Sequence, residues 1–146
     1  MPQLDAVKIV ESFWADVWAA RNPDAIDRYV ADDFVITSGG VDIRTRDSFK
    51  QWVREFQSKI LDLRFETIES FQNADGSRVA SRWRVRGRNN GLFGLPPDGR
   101  PIEFTGTAVW ALGADGKLLH NWVERSAWET YQRLTRVGPI VAIKGE

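Results

Sequence analysis

Cysteine is absent from the 146 residues, which excludes both a disulfide framework and thiolate chemistry. Histidine occurs once, at His120, leaving no His-rich metal site, and no acidic cluster has the spacing of a calcium loop. No metal and no cofactor are therefore expected. Net charge is also absent, because 20 Lys+Arg face 20 Asp+Glu. A nucleic-acid binder normally presents a net basic face to phosphates, so nucleic acid is not an expected partner. No stretch approaches 18 apolar residues, so no membrane span is expected. The amino terminus lacks the basic start and apolar run of a signal peptide. Together these absences point to a cytoplasmic location.

What the chain does carry is aromatic: seven tryptophans within a 42% hydrophobic composition. The length fits one domain, 1–146, with a core that buries roughly 68–70% of the unfolded surface. Val10, Phe13, Trp14, Val17 and Trp18 follow the i, i+3, i+4, i+7 spacing of an amphipathic helix. Asn22-Pro23 should end it and open a short second helix through Ile26, Tyr29 and Val30. "DDFVITSGG" reads as a strand ending at a glycine pair. Thr45 is placed to cap a third helix with Phe49, Trp52, Val53, Phe56 and Ile60 on one stripe.

After residue 60 the period changes to two. Leu61 to Gln72 alternates, but Ile68 breaks the parity, which predicts a bulge. "NADG" at 73–76 is a turn. The next strand holds "RVASRWRVRGRNN", with arginines at 82, 84, 86 and 88 on one face and Trp83 and Val85 on the other. "GLFGLPPDGRP" is a Gly- and Pro-rich loop long enough to border a site. Strands "IEFTGTAVWAL" and "LLHNWVERSAW" follow, joined at "GADGK". Ser126 and Glu129 fit a capping box for a terminal helix through Tyr131 and Leu134. The apolar tail at 137–146 has no assigned place. Helices before, strands after: the pattern is α+β, with helices on one face of an antiparallel sheet.

"RVASRWRVRG", "GLFGLPPDGRPIEFTGTAVWAL" and "DGKLLHNW", with "YVADDFVI" upstream, resemble the SnoaL-like polyketide cyclases of the nuclear transport factor 2-like superfamily. The resemblance spans about residues 4–134. It implies a cone-shaped fold in which a strongly bent sheet wraps helices around a deep cavity, commonly in a homodimer. It also implies a hydrophobic, aromatic or polyketide-like small molecule as ligand. The family's catalytic pattern is incomplete here. Val123 stands where the cyclases carry an acid after the strand's tryptophan, Thr37 stands where a histidine often follows the first strand, and Arg84 replaces the acid of the epoxide hydrolases' Arg-x-Asp pair. Arg82 matches that pair's arginine.

Two rows of side chains compete for the cavity. One contains Val79, Trp83, Val85, Trp110, Leu118, His120, Trp122 and Glu124; the other contains the arginines, Asn121, Val123 and Arg125. Burial favours the first, since guanidiniums are rarely buried unpaired. The resemblance favours the second at Arg82, Asn121 and Val123. The expected pocket has walls from Trp14, Trp18, Trp52, Phe56, Trp83, Trp110 and Trp122, with Thr37 and Val123 nearby. Its expected chemical groups are Glu124, Arg82, Asn121 and His120. A Glu124 carboxyl desolvated among tryptophans would suit general acid–base work, and Glu124→Gln would then lower turnover by ~10²–10⁴-fold. Two functions stay open: a cofactor-free isomerase, cyclase or hydrolase, and a non-catalytic binder of such a compound or of a partner protein.

Overall fold

A computed structural model describes residues 5–136. The first helix, α1 (Ala6–Phe13), is capped by Asp5, whose carboxylate accepts from the Lys8 N–H at 3.2 Å. Its stripe continues through Trp14–Ala19, but there the winding widens to a π-helix. Bonds run five residues back, from Ala20 N–H to Ala15 O at 2.9 Å and from Asn22 N–H to Val17 O at 3.0 Å. Gln57 also donates to Val17 O at 2.9 Å, tying this segment to α2 (Arg46–Ser58). The second helical segment is a 3₁₀ turn, Pro23–Arg28, with Pro23 at its first position. Thr45 caps α2 as its position suggested, accepting from Ser48 N–H at 3.2 Å.

Six strands form one sheet in the order β2-β1-β6-β5-β4-β3: β1 (Val30–Ser38), β2 (Val41–Arg44), β3 (Ile60–Gln72), β4 (Arg78–Asn89), β5 (Pro101–Leu112) and β6 (Leu118–Arg125). Helix α3 (Ala127–Thr135) ends the described chain. The sheet is mixed rather than wholly antiparallel, because β1 runs parallel to β6. Val30 and Ile60 begin strands instead of closing helices. Strand β2 has no counterpart in the sequence reading; Gly39 and Gly40, at φ of 59° and 79°, turn the chain into it. Ser126 holds the N-cap position of α3, but its hydroxyl accepts from Thr105 N–H at 3.1 Å instead of closing a capping box. The tail at 137–146 lies outside the described residues.

Bulges fix which residues face the helices. Thr67 pairs with Trp83 and Glu69 with Arg82, leaving Ile68 extra, as its broken parity indicated. On β6, Leu112 pairs with Leu118 and Ala111 with His120, so Leu119 is an extra residue there. Leu118 is buried, yet beyond the bulge the inward side chains become Asn121 and Val123, followed by Arg125. The core is the aromatic cluster between sheet and helices, centred on Trp110, Phe13, Trp14, Phe34 and Phe49. No helix among the described residues is long and apolar enough to cross a membrane.

Candidate functional site

Between the concave sheet face and α1, the π segment and α2 lies a narrow slot whose interior free space is about 20 Å³. Trp14, Trp18, Trp52, Phe56 and Phe65 wall one part of it; Trp83, Val85, Ile36 and Val123 wall the rest. The rings hold one another in place: Trp14 stacks on Phe65 at 4.9 Å and Trp52 on Phe56 at 5.7 Å. Such offset and edge contacts fix ring positions beyond what burial alone would do. Trp14 is further pinned by its indole N–H, which donates to Ser81 Oγ at 3.1 Å.

The polar groups of this slot come from the inward residues of β6 after the Leu119 bulge. Asn121 is 4% exposed, and its Oδ1 has no partner in the protein. Arg125 lies over Phe56, with its guanidinium carbon 4.9 Å from the ring centroid, and 5.8 Å from that of Trp52. Its Nη2 reaches Ser38 Oγ at 3.4 Å, while Nη1 is buried without a partner. Burial pushes this guanidinium below its ordinary value, although arginine remains cationic in such settings. The Trp83 indole N–H is likewise buried and unpartnered. Trp83, Asn121 and Arg125, all residues that line the slot, thus each carry a fully covered polar atom with no bond within the protein, whereas most buried polar groups have one.

Of the residues expected at the site, Trp14, Trp18, Trp52, Phe56, Trp83, Asn121 and Val123 meet at the slot. Trp110 does not line it; it is fully buried in the core beneath. Glu124, Arg82, His120, Trp122 and Thr37 are turned to the outer face. The Leu119 bulge is the reason on β6: it inverts the parity, so Glu124, opposite Thr107, points away from the helices. In this placement Glu124 does not line the slot. Arg82 bonds Glu69 at 3.2 Å, within an outer ladder of ion pairs: Arg84–Glu66 at 3.0 Å, Arg86–Glu103 at 3.1 Å and Arg88–Asp62 at 2.8 Å. The arginine row is thus neutralised strand by strand.

His120 stacks on Trp122 with centroids 3.9 Å apart, and its Nε2 lies 2.8 Å from Thr37 Oγ1. Thr37 spends its hydroxyl proton on Asp42 at 2.6 Å, so it accepts from His120, which must carry its proton on Nε2. Such a histidine is not a free base toward Thr37. Burial holds its pKa below the usual value, against the Asp42 charge that raises it.

Arg125 was not among the expected site residues. Its signal lay in its parity with Asn121 and Val123, four and two residues away. The loop between β4 and β5 contributes nothing to the lining. Asn89 ties it down, donating to Pro96 O and Asp98 Oδ1 and accepting from Gly91 and Leu92 N–H groups. Among the described residues no group of three or more His, Asp or Glu is arranged to hold a metal.

A bent mixed sheet closed over helices, with an aromatic slot between them, defines a domain of α+β class. The SnoaL-like domain model matches residues 10–121, and the chain belongs to that family. Solved structures agree on the fold. A candidate polyketide cyclase from Acidithiobacillus ferrooxidans is 22% identical, with 92% of this chain and 97% of that one covered at a TM-score of 0.75. A candidate SnoaL-like polyketide cyclase from Jannaschia is 14% identical, covering 94% and 99%, with a TM-score of 0.82. TsrD from Streptomyces laurentii is 18% identical, covering 92% and 98%, with a TM-score of 0.78. No curated protein matches the sequence.

Proposed function

We propose that this protein takes up a planar aromatic or polyketide-like small molecule in the slot and orients it through Arg125, Asn121 and the Trp83 indole. The observation that carries this reading is the set of three unpartnered polar atoms on an otherwise apolar lining. Ligand sites have that make-up: apolar walls and a few directed polar groups. Among the described lining residues none is a carboxylate, histidine or tyrosine, so general acid–base catalysis lacks a side chain there. Binding is therefore favoured over the isomerase, cyclase or hydrolase reading that the fold also hosts in relatives. A neutral fluorescent probe, N-phenyl-1-naphthylamine, tests the slot. Val123→Phe fills it and should weaken probe binding at least tenfold, a loss of about 1.4 kcal/mol, with Glu124→Gln leaving affinity unchanged. Equal binding by wild type and Val123→Phe would exclude the slot as the site.

The outer face supports a second proposal, a homodimer. Phe71, Ala80, Val109 and Trp122 are paired in sequence across β3, β4, β5 and β6, making one apolar row between the charged rungs. Phe71 is 59%, Val109 37% and Trp122 39% exposed. Contiguous exposed apolar surface of this kind commonly marks an association site, and a two-fold axis would place the row against itself. Light scattering should give a dimeric mass for wild type and a monomeric one for Val109→Glu. A monomeric wild type at tens of micromolar would end this proposal.

A further inference from the structure

Arg125 differs from the other arginines of this sheet. Arg82, Arg84, Arg86 and Arg88 each have a carboxylate within 3.2 Å and stand on the outer face. Arg125 stands on the inner face, and among the described residues no carboxylate pairs with it. Its charge is held by two aromatic faces and one long contact to Ser38. Arg125 is half-buried, and a partly desolvated cation without an anion carries a cost that the 20 acids of the chain do not offset here.

Resting on the cavity reading above, we infer that the slot selects a planar aromatic carboxylic acid, whose carboxylate is received by Arg125 Nη1 while its ring system lies among Trp52, Phe56 and Trp83. The charge count supports a monoanion: one guanidinium neutralises one carboxylate, and no second cation lines the slot among the described residues. The geometry supports a carboxylate, because a planar guanidinium meets it edge to edge with paired N–H donors. A phosphate ester would bring further charge into the same apolar walls without a second donor group to meet it. The flat, stacked rings select a flat ligand body. Asn121 Oδ1 offers an acceptor to a hydroxyl or amide elsewhere on that body.

The test compares 2-naphthoate with its methyl ester, equal in ring system and differing in charge. Wild type should bind the acid roughly 10–100-fold more tightly, the span expected for a charge-assisted hydrogen-bonded pair in a desolvated site. Arg125→Met should erase that preference while keeping ester affinity, and Arg82→Met, on the outer face, should leave it intact. The melting temperature of Arg125→Met should equal or exceed that of wild type, because a half-buried charge with no anion beside it has gone. Arg125→Gln serves the same comparison if the methionine variant fails to fold. Equal affinity for acid and ester in wild type, or a preference that survives in Arg125→Met, overturns the carboxylate inference and leaves the cavity reading standing. Binding of neither probe overturns both.

Discussion

Trp110→Ala should cost about 3–5 kcal/mol of unfolding free energy, the usual range for emptying a fully buried large aromatic site. Trp110 is 0% exposed and meets Phe13 edge-on at 4.8 Å, Trp14 edge-on at 5.4 Å and Phe34 tilted at 6.2 Å. It joins α1 and the π segment to the C-terminal end of β5, so a cavity there separates both layers at once. A domain of this size has roughly 5–15 kcal/mol in total, and the variant should unfold at far lower urea. Trp110→Phe makes an informative partner. The Trp110 Nε1 group has no hydrogen-bond partner, so replacing the indole by a ring without a polar atom relieves an unmet donor while losing volume. The phenylalanine variant should therefore lose less than half as much stability as the alanine variant. A urea titration giving Trp110→Ala a loss below about 2 kcal/mol would show that the cluster is not the folding core.

Much of this arrangement is legible in the sequence because it rests on local periodicity. The i, i+3, i+4 stripes of Val10 to Trp18 and Phe49 to Phe56 place the right rings toward the sheet. The break at Ile68 shows because Leu63, Phe65 and Thr67 alternate before it, whereas the other register shift of β3, between Leu61 and Arg64, is not visible in the pattern. The corresponding break at Leu119 is silent: Leu118 and Leu119 are adjacent and alike, so either can be the inward one. That single ambiguity decides whether Glu124 or Arg125 enters the slot, and only the pairing with Ala111 and Leu112 resolves it. The parallel contact of β1 with β6 joins residues more than 80 apart in sequence, as Ile36 with Asn121; no local pattern encodes it. Strand β2 is four residues long and mostly exposed, too short for an alternation to stand out. The π winding under Trp14 and Trp18 keeps the same apolar stripe as an α-helix, and so leaves no separate trace.

Gly106→Ala should damage both stability and ligand uptake, although Gly106 touches no ligand in the cavity reading. Gly106 lies opposite Trp83 in the β4–β5 pair, and the Trp83 indole crosses directly over its backbone. A Cβ added there would sit 2.1 Å from Trp83 Cζ2 and 2.5 Å from Cε2. The indole is no flexible chain end: it stacks on Phe65 at 5.8 Å and meets Phe104 edge-on at 5.9 Å. With Phe65 on one side and Phe104 on the other, it can shift only by disturbing its ring neighbours, among them Phe65 of the slot wall. Overpacking of this kind typically costs about 1–3 kcal/mol. A slot this narrow should also lose at least tenfold in affinity for N-phenyl-1-naphthylamine, about 1.4 kcal/mol. Trp83→Leu in the Gly106→Ala background removes the obstructed ring and should recover part of the stability lost to the methyl group, a coupling between the two sites that a double-mutant cycle reads directly. Additive losses in that cycle would mean that the indole does not rest on Gly106, and the slot's shape would then have to be set by other residues.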